Sequence, residues 1–243
     1  MAAFRAGALT LDGTVVAIVI GTLVFGAGGW PFAAVLLTFF VTSIALGRVR
    51  RARKASLTNI EKAGARDWTQ VLANGGVAAA CALLSLHGGA GLREAFAGAF
   101  AAATADTWGT EIGTATAAVP RSIVTGRRLD PGISGGVTPA GTLGEVAGAA
   151  TLALVATSLH AAAFLPVLAG GIAGALIDSL LGATAQALYY CRACECYCEA
   201  DPHVCGANPR LARGFSWFTN DTVNFAATLT GALVAYGVAK LLV

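Results

Sequence analysis

The sequence predicts an all-α protein, a polytopic transmembrane helix bundle of about seven helices forming one integral membrane domain over 1–243. Three observations carry that reading. Only 12% of the residues are charged against 56% hydrophobic, and the mean hydropathy is +0.70; a soluble domain needs about 25% charged residues to clothe its surface. Apolar runs recur at the roughly 17–25 residues that cross a bilayer. The basic residues gather in alternate loops, as the positive-inside bias requires.

The first two runs, 12–28 and 30–47, are parted only by Gly28-Gly29-Trp30-Pro31, which predicts a tight hairpin. Arg5 is the only basic residue before them and no clear cleavage site follows, so the first run is expected to remain in the mature protein. A basic loop comes next, with Arg48, Arg50, Arg51, Arg53, Lys54, Lys62 and Arg66. Runs at 69–90 and 94–118 precede a second basic loop holding Arg121, Arg127 and Arg128. Runs at 138–160 and 162–189 lead to a third, with Arg192, Arg210 and Arg213, before the last run at 218–242. In a seven-helix bundle these three loops share one side, leaving Arg93 and Lys240 on the other. The N-terminus and the site are therefore expected on the cytoplasmic side of a multi-pass membrane protein, in the plasma or inner membrane if the source is prokaryotic. The pairs Gly109/Gly113, Gly144/Gly148 and Gly170/Gly174 have the small-xxx-small spacing that lets helices approach closely.

Acids inside apolar segments are costly and mark function. Asp106 and Glu111 lie in one such segment, Asp178 in another, and Asp221 opens the last beside Asn220 and Asn224, which sit one turn apart on one face. Asp106 and Glu111 are five residues apart, about 140° around a regular helix, so a local break at Gly109 is the expected way to aim both at one point. Carboxylates and amide oxygens converging at one depth suit Mg²⁺ shared with a phosphate. The structural alternative is that each acid pairs with an Arg or Thr and only holds helices together.

The segment 131–139, Pro-Gly-Ile-Ser-Gly-Gly-Val-Thr-Pro, runs from a flexible loop into a helix, and amides at such a junction attract anions. It lacks the GK[ST] of a Walker A loop. With Arg121, Arg127, Lys62 and Arg66 on the same side, it points to a phosphate-rich ligand; the run Arg48–Lys54 reads equally as an anchor to anionic lipid. In the 191–205 loop, Cys191, Cys194, His203 and Cys205 offer a ligand set for structural Zn²⁺, and a cytoplasmic position disfavours disulfides. Cys196 and Cys198 lie in the same loop, and Cys81 reads as a small core residue.

The strings ARDWTQVLANGG (65–76), ADTWGTEIG (105–113), PRSIVTGRRLDPGISGGVTPAGTLGE (120–145), DSLLGATAQ (178–186) and NDTVNF (220–225) together resemble one family. It is the integral membrane family that includes transmembrane protein 19 and the plant and cyanobacterial phytyl-phosphate kinases. The resemblance runs from about Asn59 to Phe225 with the motifs in order. It implies a CTP-using kinase that turns phytyl or a related prenyl phosphate into the diphosphate, in tocopherol or prenyl-lipid biosynthesis. It also implies that Asn74, Asp106, Glu111, Asp178, Asn220, Asp221 and Asn224 lie near the active site.

Both lines lead to one expectation. Arg121, Arg127, Lys62, Arg66 and the loop residues Ser134, Gly135, Gly136 and Thr138 hold nucleotide phosphates, with Asn74, Asn220 and Asn224 nearby. Asp106, Glu111, Asp178 and Asp221 hold Mg²⁺. The partners are CTP or another nucleoside triphosphate, phytyl or geranylgeranyl phosphate and membrane lipid, with no nucleic acid. The rival readings are an ion-coupled secondary transporter and a CTP-dependent cytidylyltransferase of a lipid phosphate.

Overall fold

Gly29 takes φ 58 and ψ −146 inside the first long helix and turns it back on itself. Glycine adopts such angles without strain, and Pro31, two residues on, lies in the first turn of the second arm, where a missing N–H is tolerated. The computed structural model describes residues 2–48, 64–116 and 118–242. The basic residues Arg50, Arg51, Arg53, Lys54 and Lys62 lie outside these described residues.

A short helix α1 (Ala2–Arg5) precedes α2 (Leu11–Arg48), which is followed by α3 (Trp68–Ser85), α4 (Leu92–Ala115), α5 (Pro139–Ser158), α6 (Phe164–Thr184) and α7 (Asn220–Leu241). Six long helices thus stand, among the described residues, where seven were expected. The first two predicted spans are the two arms of α2, joined without a loop because Gly29 alone makes the turn. The outgoing arm lies along α3, with Ile20 against Gly75. The returning arm lies along α4: Phe32 stacks on Phe96 with centroids 4.1 Å apart, and Thr42 accepts the Trp108 Nε1–H at 3.1 Å.

By length and composition, α2, α5, α6 and α7 are, among the described residues, the helices able to cross a membrane. Their outward faces carry exposed Val15, Ile18, Val19, Leu154, Leu165 and Leu233, apolar surface suited to lipid. Less apolar than expected is α4, and its place explains why. It is the central helix, packed against α2, α3, α5, α6 and α7, and every residue from Ala95 to Ala105 is buried. A helix enclosed by helices needs small side chains rather than lipid-facing bulk, so Ala, Gly and Thr replace Leu and Val. Glycines on both sides of these contacts serve the same end: a Cβ at Gly174 of α6 would run into Ala102, and one at Gly98 of α4 itself into the Gly231 carbonyl.

Local signals set the helix starts at the cavity end. Asp67 caps α3 through a reciprocal box, accepting from the Gln70 amide at 3.0 Å while its own amide donates to Gln70 Oε1 at 3.1 Å. Thr138 caps α5, accepting from the Gly141 amide at 3.0 Å, with Pro139 in the first turn.

Two small antiparallel sheets amend the all-α expectation. One pairs β1 (Arg121–Ser122) with β2 (Gly136–Val137). In the other, β3 (Leu188–Cys191) lies between β4 (Cys196–Cys198) and β5 (Arg210–Arg213). The predicted span 162–189 therefore stops at Thr184. Beyond it the Ala187 amide bonds the Phe218 carbonyl at 2.9 Å, and Leu188-Tyr189-Tyr190, bulky and partly aromatic, continues as a strand.

Central close packing gives a direct test. Gly174→Val should lower the thermal unfolding midpoint in detergent by several degrees, the overpacking cost being about 1–3 kcal/mol. Gly21→Val, where an added Cβ meets nothing within 4 Å, should leave the midpoint in place. Equal shifts in both would contradict the packing described.

Candidate active site

A cavity of about 820 Å³ opens at the end of the bundle where α2, α4 and α6 finish and α3, α5 and α7 begin. Its size lies within the range of small-molecule and cofactor sites, about 300–1,000 Å³. Five acids line it: Asp106 and Glu111 from α4, Glu145 from α5, Asp178 from α6, and Glu199 just after β4. Asn74, Asn220 and Asn224 add amides, and Arg66 adds a cation.

No break at Gly109 is needed to bring Asp106 and Glu111 to one site. Helix α4 is continuous, and the cavity is broad enough to reach both faces. Gly109 has another role: a Cβ there would fall 2.5 Å from Glu145 Cγ, so the glycine makes the room through which Glu145 enters. The Asp106 and Asp178 carboxyls lie close enough to interact directly, and Glu145 and Glu199 lie close enough for their charge to act on Asp178. Asp178 Oδ2 is buried with no hydrogen-bond partner among the described residues. Arg66 sits opposite: burial lowers its guanidinium from the usual value, and the Asp106 charge works against that loss.

An apolar pocket adjoins the cavity. Leu9, Ile20, Leu36, Phe39, Phe40 and Phe100 line it, and it shares Arg66, Gln70 and Asn74 with the polar chamber. Arg66 stands at the junction, its guanidinium carbon 5.8 Å from the Phe39 ring centroid. The N-terminal segment holds it there by backbone bonds of 3.0 Å, Arg66 N–H to the Ala8 carbonyl and Thr10 N–H to the Arg66 carbonyl.

Of the residues expected from the sequence, Arg66, Asn74, Asp106, Glu111, Ser134, Gly135, Gly136, Thr138, Asp178, Asn220 and Asn224 all line the cavity. Asp221 does not. Its Oδ2 is 2.7 Å from the Thr69 hydroxyl, which is itself 2.7 Å from Asp67 Oδ1, so Asp221 faces the start of α3. Arg121, in β1, and Arg127, in the segment between β1 and β2, are both exposed and outside the lining residues, with Arg121 Nη1 donating to the Gly126 carbonyl at 3.0 Å. Lys62 lies outside the described residues. The glycine-rich loop is also less open than expected. The Ser134 amide donates to Glu199 Oε1 at 2.7 Å, and the Ser134 hydroxyl to Glu199 Oε2 at 3.1 Å, so a carboxylate of the chain itself occupies that amide.

Glu145 and Glu199 escaped the sequence reading. A signal existed for Glu145, which shares a helical face with Gly141 and Gly148. Glu199 lay in a segment read as a loop, and no spacing tied it to the acids of the spans. The third group, Cys191, Cys194, His203 and Cys205, does come together, its donor atoms all within 4.8 Å of one another.

Comparison with known proteins places the chain among integral membrane proteins. The chain matches the family described as integral membrane protein DUF92 over residues 1–232. Protein PGR of Arabidopsis thaliana is 31% identical over 224 residues, covering 77% of this chain and 75% of that protein. An uncharacterized membrane protein of Methanocaldococcus jannaschii, MJ0933, is 32% identical over 174 residues, covering 71% and 72%. The chloroplastic protein VTE6 of Arabidopsis thaliana is 27% identical over 238 residues, covering 93% of this chain and 64% of its own length. No solved structure matches.

The placement of Asp221 separates a positioning acid from those of the cavity. Asp221→Asn and Thr69→Val should each lower stability by about 1 kcal/mol, and the double variant should cost no more than either alone. Thermal unfolding in detergent reads this; additive losses would show that the two side chains act independently.

Proposed function

The chain belongs to the integral membrane family DUF92, and from that premise we propose that it is a membrane-embedded isoprenoid-monophosphate kinase that uses CTP. The observation that carries the proposal is one chamber in which several carboxylates face each other beside an apolar pocket, with Arg66 between the two. That arrangement suits a ligand with an apolar tail and a phosphate head. The motif resemblance to phytyl-phosphate kinases supplies the acceptor class, phytyl or geranylgeranyl phosphate. The one-sided basic loops support a cytoplasmic mouth.

The donor set fits Mg²⁺. It consists of hard oxygens, it includes the unpartnered Asp178 Oδ2, and its mutual repulsion calls for a counter-charge. Asp106, Asp178 and Glu145 are the residues that would hold the ion, with Glu111 at the same wall. When bound, the ion neutralises phosphate charge as it builds during transfer.

The chain's own groups do the positioning. Phe39, Phe40, Phe100 and Leu36 take the first part of the prenyl tail, and Arg66, Gln70 and Asn74 seat its phosphate where the pocket meets the chamber. Asn220 and Asn224 contact the nucleotide from α7. An oxygen of the acceptor phosphate attacks the γ-phosphorus, the β–γ bridging bond breaks, and CDP leaves. The acceptor oxygen is already anionic, so no strong general base is required. Holding two anionic reactants in line supplies the rate.

Purified protein in detergent, given γ-labelled CTP, Mg²⁺ and phytyl or geranylgeranyl phosphate, should transfer the label to the prenyl diphosphate. Asp106→Asn and Asp178→Asn should each lower turnover by about 10²-fold or more while eluting as the wild type does on size exclusion. No turnover with any of several nucleotides and prenyl phosphates would contradict the proposal. Release of pyrophosphate with a cytidylylated lipid would replace it with cytidylyl transfer.

A further inference from the structure

The cavity leaves unexplained the small sheet beside it, whose three strands carry five of the six cysteines or flank them. We propose that Cys191, Cys194, His203 and Cys205 bind a structural zinc ion, and that the ion fixes Glu199 as the latch holding the 132–136 loop in the cavity wall. The proposal is independent of the kinase reading.

Geometry carries it. All four donor atoms lie within 4.8 Å of one another. Cys191 Sγ is 3.7 Å from Cys205 Sγ, and His203 Nδ1 is 3.1 Å from the same sulfur. Tetrahedral zinc with bonds near 2.3 Å sets its sulfurs about 3.8 Å apart, which matches the pair. The remaining thiols have other places. Cys196 Sγ is 3.8 Å from His203 Nε2, the far ring nitrogen, where it suits the outer hydrogen bond that orients a ligating imidazole. Cys198 Sγ donates to the Ala200 carbonyl at 3.6 Å, and Cys81 packs within the bundle.

The backbone presents the four ligands from two bends. Cys191 ends β3, and Cys194 lies in the turn to β4, where Glu195 takes φ 53. His203 and Cys205 lie on a bend closed by His203 N–H to the Ala207 carbonyl at 3.1 Å and Gly206 N–H to the His203 carbonyl at 2.8 Å. Between the bends the buried apolar cluster is only Ala187, Tyr189, Cys191 and Cys198. So small a core gives little folding energy, and metal ligation is how such modules are held.

The consequence for the cavity follows from chain order. Glu199 is the residue after β4, and its buried carboxylate accepts from the Ser134 amide, the Ser134 hydroxyl and Gln186 Nε2, the last at 3.0 Å. A sheet that shifts carries Glu199 with it and frees the Ser134 amide.

Wild-type protein purified from zinc-supplemented culture should contain about one zinc per chain by mass spectrometry, with an X-ray absorption shell of three sulfurs and one nitrogen. Cys194→Ser and His203→Ala should each lower the content at least fivefold, and Cys198→Ser should leave it unchanged. Stripping the metal with a chelator should speed hydrogen exchange at the Ser134 amide at least tenfold. Wild-type protein without zinc, or zinc content indifferent to Cys194→Ser and His203→Ala, overturns the site. Unchanged Ser134 exchange after stripping overturns the latch.

Discussion

Like charges confined together are the constraint on which the rest of this molecule depends. Asp106, Asp178, Glu145 and Glu199 act on one another's charge in a chamber at the end of the bundle, and Arg66 is the cation that answers Asp106. Repulsion of that kind in a low dielectric is tolerated only when a counter-charge or protons compensate it. A chain that brings six helix ends and a sheet to this point has spent stability to do so, and the proposed phosphate-handling metal site would give the expense a use.

The bundle is built to make that convergence possible. Helix α4 runs through the middle with Ala, Gly and Thr at every position from Ala95 to Ala105 except Phe96 and Phe100, so its neighbours close in until Gly174, Gly98 and Gly231 have no room for a Cβ. Close approach at the centre brings Asp106 to Asp178, and the absent side chain at Gly109 admits Glu145. The same helix borders the apolar pocket through Phe100. One element thus connects the small apolar pocket, the acids and the core of the bundle.

Much of this was legible in the residues. Hydropathy and charge exposed the membrane class, and Gly28-Gly29-Trp30-Pro31 exposed the reversal that became the bend of α2. Asp106, Glu111 and Asp178 were marked by their apolar surroundings. The misses share a cause, which is that sequence position is silent about which way a polar group turns. Asp221 looks like its fellow acids along the chain, yet Thr69 draws it toward the cap of α3. Arg121 and Arg127 look like phosphate ligands and stand exposed, outside the cavity lining. Ser134 looks like an anion site, and the chain's own Glu199 fills it from 65 residues away. The strand at Leu188–Cys191 was hidden because a buried apolar run has no period that separates the end of a helix from a short strand.

Equilibrium binding of Mn²⁺ as a spectroscopic substitute for Mg²⁺ tests the central claim most directly. Electron paramagnetic resonance of the detergent-purified protein should show saturable Mn²⁺ binding that excess Mg²⁺ displaces and that weakens at least tenfold in Asp178→Asn. Absence of saturable binding, with or without CTP, would mean that the gathered carboxylates serve no divalent ion and that their convergence has another cause.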